Sequence, residues 1–314
     1  MRIAAIQMTA RTADVPENLA QAESLVREAA KKKAEWVILP EFFSSGMAFH
    51  PDLISAVRPA DGEPLQMMQR LARELFVVVG GSFLAATGSD VKNRFFLVFP
   101  DGRMLFHDKD QPTMWENCYY VGGNDDGVLD AGDVKAGASL CWEFVRTRTA
   151  KRLRGKVDLV VGGSCWWSLP ERTLPGFPQS LAARMQDVAD DSPGRMARLL
   201  GVPVVHSAHA GEFAGKMPLI PGFPFVSHLV GGACIVDRDG KTLVRLRREE
   251  GRGVVVSDLD LSAAPDPSEV LPESFWIPNL PSQIRLVWAY QNFHGSLYYR
   301  WVTKGRLAAE GLLS

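Results

Sequence analysis

An α/β architecture, with sheets covered by helices, is predicted for this chain by three features of its sequence. Short apolar runs of strand length alternate with amphipathic stretches of helix length along most of the 314 residues. Two turn motifs, Pro100-Asp101-Gly102 and Asp237-Arg238-Asp239-Gly240, add antiparallel hairpins to the parallel crossovers that such alternation produces. The composition, 46% hydrophobic and 23% charged, is that of a packed globular protein.

Arg2 to Met8 is a strand, and Asp14 with Glu17 has capping-box spacing around Pro16, so a helix opens there and runs to about Lys32. Leu19, Ala22, Val26 and Ala29 share its apolar face. Trp36 to Leu39 is the next strand, which completes a strand–helix–strand crossover and leaves Glu41 at a strand's carboxyl end. A helix from about Leu65 to Leu75 leads into a buried strand, Phe76 to Phe83. Arg94 to Phe99 and Met104 to His107 form the first hairpin, with Lys109 just beyond it. Val134 to Leu140 is a strand ending at Cys141, Thr147 to Leu153 is helical, and Val157 to Val161 is again a strand. The second half repeats the theme with a helix within Gln179 to Leu200, the strand Val202 to Ser207 and the Asp237 to Gly240 hairpin, a loose internal duplication. Prolines 265, 267, 272, 278 and 281 mark an extended arm, followed by a tail rich in aromatic residues. Trp288, Tyr290, Phe293, Tyr298, Tyr299 and Trp301 there are expected to pack on the domain or to form a subunit contact.

A formal net charge of -1 gives no field for nucleic acid or an anionic membrane. The Lys31-Lys32-Lys33 run closes a helix, where the macrodipole favours cations. No apolar stretch has the length of a membrane span, and the N-terminus carries no signal-peptide pattern. Cys118, Cys141, Cys165 and Cys234 are widely spaced without a Cys-x-x-Cys pair, which speaks against a zinc ribbon or a disulfide framework and for reduced thiols in a cytoplasmic protein.

Glu41 and Cys141 fall at strand ends, where open α/β sheets gather ligands. Gly137-Ala138-Ser139-Leu140-Cys141-Trp142-Glu143, taken with Pro40-Glu41-Phe42 and with His107-Asp108-Lys109-Asp110-Gln111-Pro112-Thr113-Met114-Trp115-Glu116, resembles the nitrilase superfamily of carbon–nitrogen hydrolases. That superfamily places a Glu at one strand end, a Lys after a hairpin and a Cys at a strand-to-helix turn, in this order. The resemblance implies a four-layer α-β-β-α sandwich over residues 1–264, with 265–314 as arm and tail, assembled as a homodimer or larger homo-oligomer. It implies a thioester mechanism on a small nitrile or amide, without metal or organic cofactor. Glu41 would be the general base, Lys109 would face the charge developing on the substrate heteroatom, and Glu116 would hold the Lys and orient substrate or water. The Trp142 N–H would be a second donor to that charge, Trp166 would line the pocket, and a helix N-terminus after Cys141 would add its field.

Within the superfamily, Lys109-x-x-Pro112-Thr113-x-x-Glu116 and Cys141-Trp142-Glu143 point toward the nitrilase branch, whereas Arg146 is similar to an arginine of the amidases, so an amidase or N-carbamoyl amidohydrolase is the alternative. Three other readings carry less weight. They are a Cys/His hydrolase using His206 or His209, a metal site of His206, His209 and Glu212, and a non-catalytic binding scaffold.

Overall fold

A computed structural model describes residues 1–169, 178–216 and 224–314. In chain order its elements are β1 (Arg2–Met8), α1 (Val15–Lys31), β2 (Trp36–Ile38), β3 (Arg58–Pro59), α2 (Glu63–Leu75), β4 (Val78–Thr87), β5 (Asp90–Val98), β6 (Met104–Asp108), β7 (Val128–Asp130) and β8 (Lys135–Leu140). Then come α3 (Thr147–Leu153), β9 (Leu159–Ser164), α4 (Gln179–Leu200), β10 (Val204–Lys216), β11 (Pro224–Val230), β12 (Cys234–Val236), β13 (Thr242–Arg245), β14 (Gly253–Asp258), α5 (Ser282–Tyr298) and α6 (Lys304–Ala309).

The strands form two leaves. In one, β1, β2 and β4 run parallel and are flanked by antiparallel β5, β6 and β14; in the other, β8, β9 and β10 run parallel beside antiparallel β7, β12 and β13. The leaves join where the ends of β1 and β10 pair, Gln7 with Ala208 and Met8 with His209. Both hairpins have the same turn, Phe99 N–H donating to Arg103 O as Asp237 N–H does to Lys241 O, which bears out the echo between the halves.

Alternation of side chains along each strand builds the layers. Ala4, Ile6 and Met8 face Ala22, Leu25, Val26, Met68 and Leu71 of α1 and α2. Ile3 and Ala5 point the other way and, with Ile38, Phe95 and Leu97, meet Ala138, Leu140, Val161, Val205 and Ile235 of the second leaf. On the far face Val160, Val204 and Val236 pack against Leu153 of α3 and Met196, Leu199 and Leu200 of α4. The order is therefore helix, sheet, sheet, helix, the predicted four-layer sandwich. Each fully buried Leu, Val, Ile or Phe contributes about 1.5–3 kcal/mol, so the middle layer fixes the strands that carry the site.

The end of α2 and the aromatic tail are among the places that differ from the sequence reading. Phe76 is not in a strand: it caps α2 in the left-handed region (φ 54°) and is 83% exposed, and β4 starts at Val78. The aromatic tail contains the 17-residue helix α5, which has no side-chain cap and little apolar periodicity to announce it. Trp276, Ile284 and Tyr299 are buried against the domain, whereas Leu286, Phe293 and Trp301 remain exposed. No helix among the described residues is long and apolar enough to cross a membrane, and all four cysteines are free and buried.

Candidate active site

Three turns bring the acidic and thiol side chains together. Glu41 follows β2, Glu116 lies in a short 3-10 turn (Met114–Cys118) after β6, and Cys141 opens another (Cys141–Val145) directly after β8. Each turn carries a non-glycine residue with positive φ: Phe42 at 53°, Met114 at 52° and Cys141 itself at 50°. Such conformations cost of order 1–3 kcal/mol and persist where surrounding packing imposes them. α3 begins at Thr147, as the sequence predicts, but the N-terminus directly behind Cys141 is that of a five-residue 3-10 turn (Cys141–Val145) and not of an α-helix, which differs from expectation.

Glycines of β9 permit this convergence. A Cβ on Gly162 would lie 1.8 Å from Ser139 O on the Cys141 strand, and one on Gly163 would lie 3.1 Å from Pro40 Cα beside Glu41. The two segments approach β9 closely only because both side chains are missing.

One carboxylate oxygen each from Glu41 and Glu116 and the sulfur of Cys141 lie within 4.8 Å of one another, all buried. Lys109, just past β6, lies among them: its Nζ donates to Glu41 Oε1 at 2.8 Å and to Glu116 Oε2 at 2.7 Å. Glu41, Lys109 and Glu116 have no exposed side-chain surface. This arrangement of thiol and carboxylates resembles a metal-ligand set, but the ammonium already supplies the compensating cation.

Glu41 is held from three sides. Asn93 Nδ2 donates to Oε1 at 2.9 Å and the Cys165 N–H donates to Oε2 at 3.0 Å, in addition to Lys109. The Thr113 N–H and the Tyr120 hydroxyl donate to Glu116 Oε2, while Glu116 Oε1 is buried with no hydrogen-bond partner among the described residues. Asn93, Tyr120 and the Cys165 N–H were missed by sequence reasoning; only Tyr120, one helical turn from Glu116, had a spacing that could have drawn notice.

The electrostatics follow from burial. Desolvation pushes the Glu41 carboxyl up to about 7, against the pull of the Lys109 ammonium. Burial alone would lower Lys109, but the Glu116 and Glu41 carboxylates outweigh it and hold the ammonium well above its ordinary range. Burial, and then the Glu41 charge, raises the Cys141 thiol, so the resting sulfur is protonated. The group thus holds a protonated thiol, a carboxylate poised near neutrality and a permanent cation.

Trp142 and Trp166 lie with Cys141, Met114, Val145 and Val230 in one buried apolar cluster, their rings 5.8 Å apart. Trp167 instead stacks on Trp115 at 4.0 Å. Arg146 is buried and donates to Asp110 Oδ1, Gln111 O and Thr113 Oγ1, which ties the Glu116 loop to the Cys141 turn. The tail supports the same parts: Asn292 accepts from the Met114 N–H, and Ile277 N–H donates to Val145 O.

The histidines of β10 do not converge on the thiol. Three residues apart on a strand, His206 and His209 face opposite sides. His206 Nε2 pairs with Ser164 Oγ at 2.8 Å and His209 Nε2 donates to the Glu41 main-chain oxygen at 2.8 Å. Burial lowers both to about 4, so they are neutral. Among the described residues His206, His209 and Glu212 form no metal-ligand cluster.

Helices outside two sheets, with a thiol, an ammonium and two carboxylates at the strand ends, define an enzyme class that the comparisons with known proteins also find. The carbon–nitrogen hydrolase family matches residues 2–265, and the chain belongs to that family, within the nitrilase superfamily. It is 29% identical over 231 residues to an N-carbamoylputrescine amidase of Solanum lycopersicum, covering 69% of this chain and 68% of that protein. It is also 25% identical over 284 residues to an aliphatic nitrilase of Rhodococcus rhodochrous, covering 83% and 75%. The fold is similar to that of an amidase from Nesterenkonia sp. AN1 whose active-site cysteine has added acrylamide, with TM-score 0.65, 20% identity, and coverage of 83% of this chain and 93% of that one. The chain is therefore a carbon–nitrogen hydrolase.

Proposed function

We propose that this enzyme hydrolyses an amide-type bond, that of a carboxamide or an N-carbamoyl compound, through an acyl thioester on Cys141, with residues 1–264 as the catalytic unit. The observation that carries this reading is Glu116 Oε1, a buried oxygen without a hydrogen-bond partner among the described residues, on the glutamate whose carboxylate lies within 4.8 Å of Cys141 Sγ. A buried acceptor left unpaired costs about 1–3 kcal/mol, more for a charged group, and an amide or ureido –NH2 would satisfy it. A nitrile brings no N–H donor. The order Cys141-Trp142-Glu143 still favours nitrile hydrolysis, which is the second reading.

Glu41 takes the thiol proton as Cys141 Sγ attacks the carbonyl carbon, so no free thiolate is required in the resting state. The oxygen that becomes negative faces the Lys109 ammonium and the N–H of Trp142, the second residue of the 3-10 turn, where backbone N–H groups have no acceptor within the turn. Glu41 returns the proton to the leaving nitrogen, and ammonia or an amine departs. Water activated by Glu41 then cleaves the thioester, and the thiol regains its proton. Glu116 holds Lys109 and the substrate nitrogen. Trp166 and its apolar neighbours receive the acyl group.

Ammonia release from matched amides, N-carbamoyl amino acids or amines, and nitriles tests the reading, with Cys141→Ala as control. Amide or carbamoyl turnover above that of the corresponding nitriles, abolished in the variant, supports it. Turnover confined to nitriles overturns it in favour of the second reading.

A further inference from the structure

Behind the reacting groups lies a second buried charged cluster that takes no part in the chemistry above. Glu143 is at its centre, with no exposed surface. Its Oε2 accepts the N–H of Leu140, the residue before Cys141, at 2.8 Å; its Oε1 accepts the N–H of Asp110, the residue after Lys109, at 3.0 Å. One carboxylate therefore bridges the backbones that carry the thiol and the ammonium. Arg152 Nη2 donates to Oε1 at 2.9 Å, and His107 Nε2 lies 3.1 Å from Oε2. His107 is backed in turn by Asp125, whose Oδ2 accepts the Asp108 N–H at 2.9 Å. The other charged groups against this cluster are Asp110, paired with Arg146, and Asp108, paired with Arg94.

We propose that Glu143 is a positioning residue for the reaction: its carboxylate sets the separation of the Cys141 sulfur from the Lys109 ammonium, and thereby the reactivity of the thiol. The inference rests on the reading of Cys141 as nucleophile. Glu143 cannot touch substrate, because it is enclosed and both oxygens are committed to these donors. Arg152 and the His107 imidazolium outweigh the burial that opposes its charge and hold it ionised, well below the usual carboxylate range. An ionised carboxylate accepts each backbone N–H on a separate oxygen, whereas a carboxamide presents an NH2 donor in place of one of those oxygens, so one backbone N–H meets another donor and its segment is released. Released, Lys109 recedes from a sulfur whose charge it stabilises.

The test is alkylation of Cys141 by iodoacetamide, a small electrophilic amide, followed by peptide mapping between about pH 6 and 10. In Glu143→Gln, with folding verified by circular dichroism and thermal melting, the rate per folded molecule falls about 10- to 100-fold, because displacements near 1 Å have effects of that size. The pH midpoint of the reaction moves upward, which a merely structural role would not cause. A folded variant with the wild-type rate and midpoint overturns the proposal. Should Glu143→Gln not fold, Glu143→Asp, which keeps the charge but is one methylene too short to reach both the Leu140 and the Asp110 N–H, is read in the same way. A Cys141→Ala variant that retains turnover sinks the nucleophile reading; an inactive one beside an unchanged Glu143→Gln profile sinks only the positioning role.

Discussion

Replacing Lys109 by methionine keeps most of its volume and removes the one cation between two buried carboxylates. In the native protein Nζ lies 2.8 Å from Glu41 Oε1 and 2.7 Å from Glu116 Oε2, and all three side chains are fully enclosed. Breaking a buried ion pair by deleting one partner costs about 3–5 kcal/mol, since the remaining charge is left uncompensated. Glu41 can reduce that cost by binding a proton. Burial already holds Glu41 up to about 7 despite Lys109, so loss of the ammonium sends it higher. A carboxyl whose folded-state pKa exceeds its unfolded value binds more protons when folded, and its contribution to stability falls as pH rises between the two values. In the wild type this window runs from the ordinary 4.5 to about 7, and in Lys109→Met it extends further upward. The variant should therefore lose about 3–5 kcal/mol relative to wild type near pH 8, and the deficit should shrink below that pH by up to about 1.4 kcal/mol per unit. Urea unfolding followed by tryptophan fluorescence at about pH 6 and pH 8 measures both. A deficit that is equal at the two values, or larger at the lower one, would show that Glu41 and Glu116 are not the uncompensated charges.

Other substitutions probe separate parts of the site. Glu41→Gln removes the proposed base while retaining its shape, and kcat should fall about 10²- to 10⁴-fold in steady-state assays. The wild-type kcat/KM should rise with pH along an acidic limb centred near 7, since Glu41 must be ionised to take the thiol proton; a limb near the ordinary carboxylate value of 4.5 would assign the base elsewhere. In Glu116→Gln that limb should move to lower pH, because the Glu116 charge helps to raise Glu41. Gly162→Ala should destabilise the protein by several kcal/mol or prevent folding, as its Cβ would collide with Ser139 O at 1.8 Å, and soluble yield with thermal melting would record this.

Much of this molecule is written locally in its sequence. Asp14 caps α1 by accepting the Glu17 N–H, the Pro100-Asp101-Gly102 turn joins β5 to β6, and α4 spans Gln179–Leu200. Glu41, Lys109 and Cys141 were legible because each stands at the end of a recognisable strand or hairpin within a familiar local motif, whereas Glu116 was named only through the family resemblance. Their partners were not. Asn93 reaches Glu41 across 52 positions and the Cys165 N–H across 124, contacts that only the packing of the leaves creates. Glu143 and His107 stand inside the quoted motifs, yet nothing local reveals that one carboxylate would bridge Leu140 and Asp110. β14 was missed although Val254, Val255 and Val256 have strong strand propensity, and β10 extends far beyond Ser207 because β11 pairs with residues whose own alternation is weak. The 3-10 turn at Cys141 escaped for the opposite reason: a strand, a nucleophile and a following helix fit the expected strand–turn–helix pattern, and five residues of tighter winding leave no distinct signature.

The proposed covalent catalysis at Cys141 can be tested without knowledge of the natural substrate's full structure. An amide or N-carbamoyl compound that releases ammonia is mixed with the enzyme, quenched in acid within a turnover, and the protein is digested and mapped by mass spectrometry. The acyl mass should appear on the peptide containing Cys141, accumulate when hydrolysis is slowed, and be absent from Cys141→Ala. Undiminished ammonia release by Cys141→Ala, or an acyl group found on Cys165 or another residue instead, would contradict the assignment of Cys141 as the nucleophile.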